Sequence, residues 1–194
     1  MSVAAAPLTT ADLLAMPDDG VERWLIRGEL REKHPTRQDQ RMTIRNRFHS
    51  RVMVRVSKVL DNWLDQQPEP RGTVLAGEAG VRLSHDPEST VGVDVIYVSA
   101  DVAGRQGDDT TLIDGVPVLA VEILSPNDTI EDTSEKVTEY LRVGTRLVWV
   151  VDPYDHTVRV YRPDARPQLF NEEQELAAEP HLPGFRVPVA RLFE

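Results

Sequence analysis

A short apolar run that contains one carboxylate, residues 119–124, constrains the fold more than any other stretch of the chain. Five apolar residues surround Glu122, and a run of this length is typical of a buried β-strand. Pro126 forbids the strand from continuing, since proline lacks the backbone donor that a sheet requires. A carboxylate in a buried strand is costly unless a cation faces it. The run therefore predicts either a functional site or a buried ion pair.

A second apolar strand and a helix supply the partners that Glu122 requires. Residues 93–98 form an apolar run that carries Asp94. Helical periodicity follows the Glu122 strand over residues 130–143 and places Lys136 two turns into the helix. Two strand carboxylates within reach of a lysine indicate a candidate metal site. The alternative interpretation is a structural ion-pair cluster, and the sequence leaves both open.

Length and composition are those of one globular domain. The chain has 194 residues, with 40% hydrophobic and 28% charged residues, so we expect a single domain over residues 1–194. No apolar run reaches the length of a membrane span, and no secretory signal is evident at the start. Cysteine is absent, which excludes disulfides and thiolate metal sites. We therefore expect a cytoplasmic protein that does not enter a membrane.

The charge of the chain is distributed unevenly. The formal net charge is -10, yet residues 23–58 hold eleven Lys or Arg and three Asp or Glu. A helix is predicted over residues 39–66, and its apolar stripe comprises Ile44, Phe48, Val52, Val56, Val59 or Leu60, and Trp63. His49 lies at the edge of this stripe and is interpreted as a partly buried structural residue. Off this stripe lie four arginines that we assign to nucleic-acid binding, Arg41, Arg45, Arg51 and Arg55. A solvated basic surface is the alternative interpretation of the same pattern.

The order of elements predicts an α/β (α+β) fold, a mixed β-sheet flanked by helices. A short helix and a hairpin with its turn at residues 27–28 precede the long helix. Separate strands are predicted at residues 73–76 and 80–83, and a loop is predicted at residues 101–111. An apolar strand at residues 147–151 should be central, and apolar residues in the tail should dock on the core.

Metal chemistry follows if Asp94 and Glu122 lie on adjacent strands and on one face. Their carboxylates, with the carbonyl oxygen of Ile123, would bind Mg²⁺ or Mn²⁺. Such an ion activates water for phosphodiester hydrolysis. Lys136 would stabilise the negative charge that develops on phosphorus. Glu29 would add a further carboxylate if the early hairpin folds beside the site.

An ordered set of motifs resembles the Uma-type restriction endonuclease family, a branch of the PD-(D/E)XK nuclease superfamily. The resemblance covers nearly the whole chain, and the order of its motifs is more specific than any one of them. The motifs are Gly28-Glu29-Leu30, His49, Val93-Asp94, residues 121–126, the helix that carries Lys136, residues 149–153 and residues 182–185.

The resemblance implies a restriction-endonuclease-like fold and metal-dependent hydrolysis of DNA phosphodiester bonds. Asp94 takes the first acidic position and Glu122 the second. The superfamily lysine normally stands two residues after that glutamate, where this chain has Leu124. In the Uma-type branch a lysine on the following helix takes its place, and Lys136 matches. Glu29 matches an additional acidic position.

Three hypotheses about function remain open at this point. The first is a metal-dependent endodeoxyribonuclease, which the intact set of acidic residues and lysine favours. A homodimer is the expected assembly, because nucleases that cut both strands are often two-fold dimers. The second is a non-catalytic protein on the same fold that binds nucleic acid or another partner. The third is a nuclease-like subunit that works only within a larger complex.

Overall fold

The computed structural model of the chain describes residues 6–33, 46–107 and 110–194. The helices are α1 (Thr10–Leu14), α2 (Arg47–Leu64), α3 (Ala100–Ala103) and α4 (Ile130–Val143), and a 3₁₀-helix spans Val189–Leu192. The strands of the first half are β1 (Arg23–Ile26), β2 (Glu29–Glu32), β3 (Thr73–His85), β4 (Glu88–Val98) and β5 (Ile113–Asp114). Those of the second half are β6 (Leu119–Ile123), β7 (Leu147–Asp152), β8 (Thr157–Tyr161), β9 (Gln168–Phe170), β10 (Glu175–Ala177) and β11 (Arg186–Pro188).

Nine of the strands form one mixed sheet. Its order is β2-β1-β4-β6-β7-β8-β9, with β3 paired to β4 and to β5, while β10 and β11 form a separate pair. The first part of β4 pairs with β1 and its last part pairs with β6. Strands β6 and β7 run parallel, so their carboxyl ends, at Ile123 and Asp152, meet at one edge of the sheet. The predicted central position of β7 is confirmed, because β6 and β8 flank it.

Two apolar cores cover the two faces of the sheet. On one face, α2 and the tail of the chain pack on β6, β7 and β8. The tail contributes buried residues such as Leu182, Phe185 and Leu192, which confirms that it docks on the core. On the other face, α4 packs through Val137 and Tyr140. The alternation of β6 directs Val121 and Ile123 to the α2 core and Ala120 to the α4 core.

The buried stripe of helix α2 differs from the predicted one in its first turn. His49 is 2% exposed, whereas Phe48 is 38% exposed, so the histidine faces the sheet and the phenylalanine faces outward. The buried stripe comprises His49, Val52, Val56, Leu60, Trp63 and Leu64. His49 can be buried because its imidazole contacts a carboxylate in the interior. The helix begins at Arg47 after the N-cap Asn46, and predicted helical residues 39–45 lie outside the described part of the chain.

Two further expectations differ from the structure in detail. The segments predicted as separate strands at residues 73–76 and 80–83 belong to the single strand β3. Its pairing with β4 shifts between Ala76 and Ala79, where Gly77 and Glu78 adopt positive φ angles, so the predicted break is a β-bulge. The predicted loop at residues 101–111 begins with the short helix α3, which Ser99 caps.

No helix within the described ranges is long and apolar enough to cross a membrane.

Candidate active site

The candidate site lies where strands β4 and β6 separate. Their pairing ends with Val95 opposite Val121, so Asp94 and Glu122 are the next residues of the two strands, and both line the space that opens there. Beyond that point the Ile123 amide has a side-chain partner in place of a strand carbonyl. It donates a 2.7 Å hydrogen bond to Oδ2 of Asp94. The separation opens a pocket. The residues that line it include Glu22, Trp24, Lys33, His49, Glu78, Asp94, Glu122, Ser125, Asp128, Asp132 and Lys136.

Glu122 is held by two donors from one face of α4. Nζ of Lys136 lies 3.3 Å from its Oε2 atom, and the Tyr140 hydroxyl donates a short hydrogen bond to its Oε1 atom. Burial raises the pKa of Glu122, the Lys136 ammonium opposes this shift, and the charge of Asp94 adds to it. A further cation beside this carboxylate would offset the unfavourable effect of its burial.

Lys136 is enclosed by the sheet and by Trp24. Its ammonium donates to the carbonyl oxygen of Gly92 at 3.3 Å and lies 5.3 Å from the centre of the Trp24 ring. Burial alone would lower the pKa of Lys136, but the charges of Glu122, Glu22 and Asp94 raise it above its ordinary value. Lys136 is consequently a fixed positive charge at neutral pH, which is the form that binds phosphate.

His49 contacts the other carboxylate of the site, that of Asp94. Its Nε2 atom lies 3.0 Å from Oδ1 of Asp94, and both side chains are buried. The Nδ1 atom of His49 is also buried and has no hydrogen-bond partner among the described residues. Sequence reasoning treated His49 as a structural residue at the edge of the apolar stripe. Its spacing of three from Val52 was the signal that could have placed it on the buried face.

A further charged cluster lines the same pocket and was not predicted. Nζ of Lys33 lies 2.5 Å from Oδ1 of Asp128 and 3.6 Å from Oε2 of Glu22. Burial alone would lower the pKa of Lys33, but the hydrogen bond that it donates to Asp128 and the charge of Glu22 raise it overall. Asp128 also accepts a 2.7 Å hydrogen bond from the Ser125 amide. Glu22 and Lys33 meet at the base of the β1–β2 hairpin, whereas Asp128 comes from a distant loop, so their contact with Asp128 had no local signal in the sequence.

Glu29 is not brought to the pocket. Its side chain is 72% exposed at the start of β2 and pairs with Arg31 at 3.0 Å. Arg31 also binds Glu135 of α4 at 2.6 Å, so this pair belongs to the surface contact between the hairpin and α4. The hairpin does fold beside the site, since Trp24 and Lys33 line the pocket. The carboxylate that it brings there is Glu22, which precedes β1.

The four arginines predicted to bind nucleic acid differ in their surroundings, and the structure describes only two of them. Arg51 is exposed on α2. Arg55 lies on the same helix, but its Nε atom donates a 2.6 Å hydrogen bond to the backbone oxygen of Glu194. Neither residue lines the pocket. Arg41 and Arg45 lie outside the described residues.

The donor set suits an ion that takes few protein ligands. Across the described ranges, no group of three or more acidic or histidine side chains could hold a metal ion by itself. Asp94 and Glu122 each offer oxygens with a remaining lone pair, because each oxygen accepts one hydrogen bond in the structure. Mg²⁺ typically binds one or two carboxylates and keeps its other positions for water and phosphate. The two carboxylates therefore fit Mg²⁺ or Mn²⁺ better than an ion that needs a full protein cage.

Comparisons with known proteins agree with this architecture. A crystal structure described as "a putative nuclease belonging to DUF820", from Anabaena variabilis, superposes with a TM-score of 0.76 at 18% sequence identity. The match covers 96% of this chain and 98% of that chain, so the two proteins share a nuclease-like fold. No curated protein matches the chain significantly. The model of the family Uma2, described as "Putative restriction endonuclease", matches residues 11–190, and the chain belongs to this family.

Proposed function

We propose that this protein is a divalent-metal-dependent nuclease that hydrolyses phosphodiester bonds of DNA. One observation carries the proposal: Asp94 and Glu122, the first residues beyond the paired part of β4 and β6, line one pocket that also holds Lys136. The family that the chain belongs to supports a nuclease function. The identity of the substrate and of the ion is part of the proposal.

Asp94 and Glu122 would hold Mg²⁺ or Mn²⁺, with the carbonyl oxygen of Ile123 as a third ligand. The bound ion supplies Lewis-acid activation of water and of the phosphate. The chain's contribution is to fix the ligands: the Ile123 amide and His49 orient Asp94, and Tyr140 orients Glu122. Burial raises the pKa of the Tyr140 hydroxyl well above its ordinary value, with a further contribution from Glu122, so this group stays a donor.

Lys136 would stabilise the negative charge that develops on the phosphate oxygens during hydrolysis. Its ammonium is already aligned by Glu122 and Gly92, so little reorganisation is required when the phosphate arrives. The exposed Arg51 on α2 would bind phosphates of the backbone. A two-fold homodimer would bring two such sites to the two strands of a duplex.

A cleavage assay tests the proposal. Supercoiled plasmid and labelled linear DNA are incubated with the wild type in Mg²⁺, in Mn²⁺ and in chelator. Glu122→Gln and Asp94→Asn should abolish cleavage, and chelator should abolish that of the wild type. Glu29→Gln is the matched control, because Glu29 is an exposed carboxylate outside the pocket, and its cleavage rate should equal that of the wild type.

The competing hypothesis is a non-catalytic binding protein in which Glu122 and Lys136 form a buried ion pair. It predicts that no ion supports cleavage and that no ion raises the melting temperature of the wild type. A bound ion must raise that temperature, because ligands that bind only the folded state stabilise it. Absence of both effects in the wild type would therefore refute the nuclease proposal.

A further inference from the structure

Two aromatic side chains are exposed on the described surface, and they contact each other. Phe48 at the start of α2 is 38% exposed, and Tyr154 in the turn between β7 and β8 is 47% exposed. Their ring centroids lie 5.9 Å apart, with an angle of 65° between the planes. No other aromatic residue in the described ranges is among the exposed large hydrophobic residues. Exposed rings gain no free energy from burial in the folded protein, and exposed apolar patches often mark binding sites. A binding role would therefore explain this pair.

Neighbouring polar groups fix the orientation of both rings. The guanidinium carbon of Arg47 lies 4.5 Å from the centre of the Phe48 ring. The side-chain amide of Asn46 donates a 2.9 Å hydrogen bond to the Tyr154 hydroxyl. We call Asn46, Arg47, Phe48 and Tyr154 the aromatic rim. It combines planar apolar surfaces with a cation, and both are held in place before any ligand binds.

The aromatic rim borders the candidate active site. His49 follows Phe48 directly, and its imidazole reaches Asp94 at 3.0 Å. Tyr154 follows the end of β7, where Val151 pairs with the pocket residue Ile123, and its amide donates a 2.8 Å hydrogen bond to Oδ1 of Asp152. A ligand that spans the rim and the pocket would therefore place a planar group on the rim and a phosphate beside Glu122.

We propose that the aromatic rim stacks an unpaired base of the strand whose phosphate enters the pocket. The preferred substrate is then single-stranded DNA, or DNA with an unpaired nucleotide beside the bond that is cut. Aromatic rings and arginine planes stack on exposed bases, whereas the base faces of a duplex are covered by their neighbours. The cations Arg47 and Arg51 on the same helix suit the charge of the strand. The inference rests on the proposed nuclease function.

Binding measurements with matched probes test the inference. Fluorescence anisotropy compares a short labelled single strand, its blunt duplex, and a strand of equal length built from abasic nucleotides. Every protein carries Glu122→Gln, so that the probes are not consumed. Phe48→Leu and Tyr154→Leu remove a ring and keep an apolar side chain. Tyr154→Phe keeps the ring and removes the hydrogen bond with Asn46.

We expect each leucine variant to weaken binding of the single strand by about tenfold, the scale of one base stacked on an aromatic ring. Binding of the duplex and of the abasic strand should change less than about twofold by the same reasoning. Tyr154→Phe keeps the ring and should weaken binding of the single strand less than Tyr154→Leu does. Melting curves verify that each variant is folded.

The inference is overturned if the leucine variants weaken all three probes equally, or weaken none. Unchanged binding of all probes would indicate that the rim serves another partner, such as a protein. The two proposals fail separately. If the wild type cleaves plasmid but Phe48→Leu does not selectively weaken binding of the single strand, only the role of the aromatic rim is refuted. If Phe48→Leu has that selective effect but the wild type cleaves nothing, only the nuclease reaction is refuted.

Discussion

Nζ of Lys136 lies 3.3 Å from Oε2 of Glu122, and this pair joins helix α4 to strand β6 across fourteen positions of the sequence. Both side chains are largely buried, so each would be an uncompensated charge without the other. The pair nevertheless opens on a pocket that also holds Asp94. The same contact can therefore stabilise the metal-free fold and orient a cation for catalysis, and substitutions separate the two roles.

Replacing the lysine should reduce turnover more than it reduces metal binding. Lys136→Met keeps much of the side chain's volume and removes its charge. We expect cleavage to fall by roughly a hundredfold or more, because one preorganised electrostatic group typically contributes that much. The melting temperature should still rise with Mn²⁺, since Asp94 and Glu122 remain. A variant that folds, binds Mn²⁺ and cuts at the wild-type rate would remove Lys136 from the chemistry.

The raised pKa of Glu122 predicts a specific dependence of stability on pH. A carboxyl group whose pKa is higher in the folded state binds its proton more tightly there. Its contribution to the free energy of unfolding is therefore present below its unfolded value near 4.5 and is lost as pH rises through the folded pKa.

Glu122→Gln should abolish this loss. Without metal, the variant should gain stability relative to the wild type as pH increases from about 4.5 toward neutrality. Urea unfolding in chelator at several pH values measures the difference, and Glu29→Gln serves as the control for an exposed carboxylate. A difference that stays constant or falls with pH would contradict the assigned shift.

Arg51 and Arg55 of α2 should affect DNA binding unequally. Arg51 is exposed and free to approach phosphates, whereas Arg55 is engaged by the backbone oxygen of Glu194. Arg51→Ala should reduce the slope of log affinity against log salt by about one. Arg55→Ala should change that slope less. Equal slopes for the wild type and both variants would assign these residues to a solvated surface.

The buried face of α2 can be tested through stability. Leu60 is fully buried against the sheet, whereas Val54 on the same helix is exposed. Leu60→Ala should lower the free energy of unfolding by about 2–5 kcal/mol, which is typical of a large-to-small substitution in a core. Val54→Ala should change it by less than about 0.5 kcal/mol. Denaturant unfolding of both variants checks the prediction, and similar losses would place the helix in another register.

Much of the site could be predicted because its main contacts are local or follow a strong pattern. The alternation of β6 sets Glu122 toward the helix that follows, and the helical period sets Lys136 and Tyr140 on the face that meets it. The helix bounds of α4 followed from cap residues at both ends, Thr129 and Gly144.

The remainder depended on contacts between distant segments. Phe48 is more apolar than His49, so hydrophobicity alone favours burying the wrong residue, and only the carboxylate of Asp94 reverses that preference. Glu22 and Glu29 lie at opposite ends of one hairpin, and which of them reaches the pocket depends on how the hairpin meets β4. The sequence pattern does not encode that contact.

The central claim is that Asp94 and Glu122 together hold the catalytic ion, and a crystal soaked in Mn²⁺ tests it most directly. The anomalous difference map should contain a peak about 2 Å from a carboxylate oxygen of each residue, the distance of direct coordination. The peak should disappear in Glu122→Gln crystals soaked under the same conditions. A peak that persists in that variant, or an empty pocket in a protein that cleaves DNA with Mn²⁺, would contradict the claim.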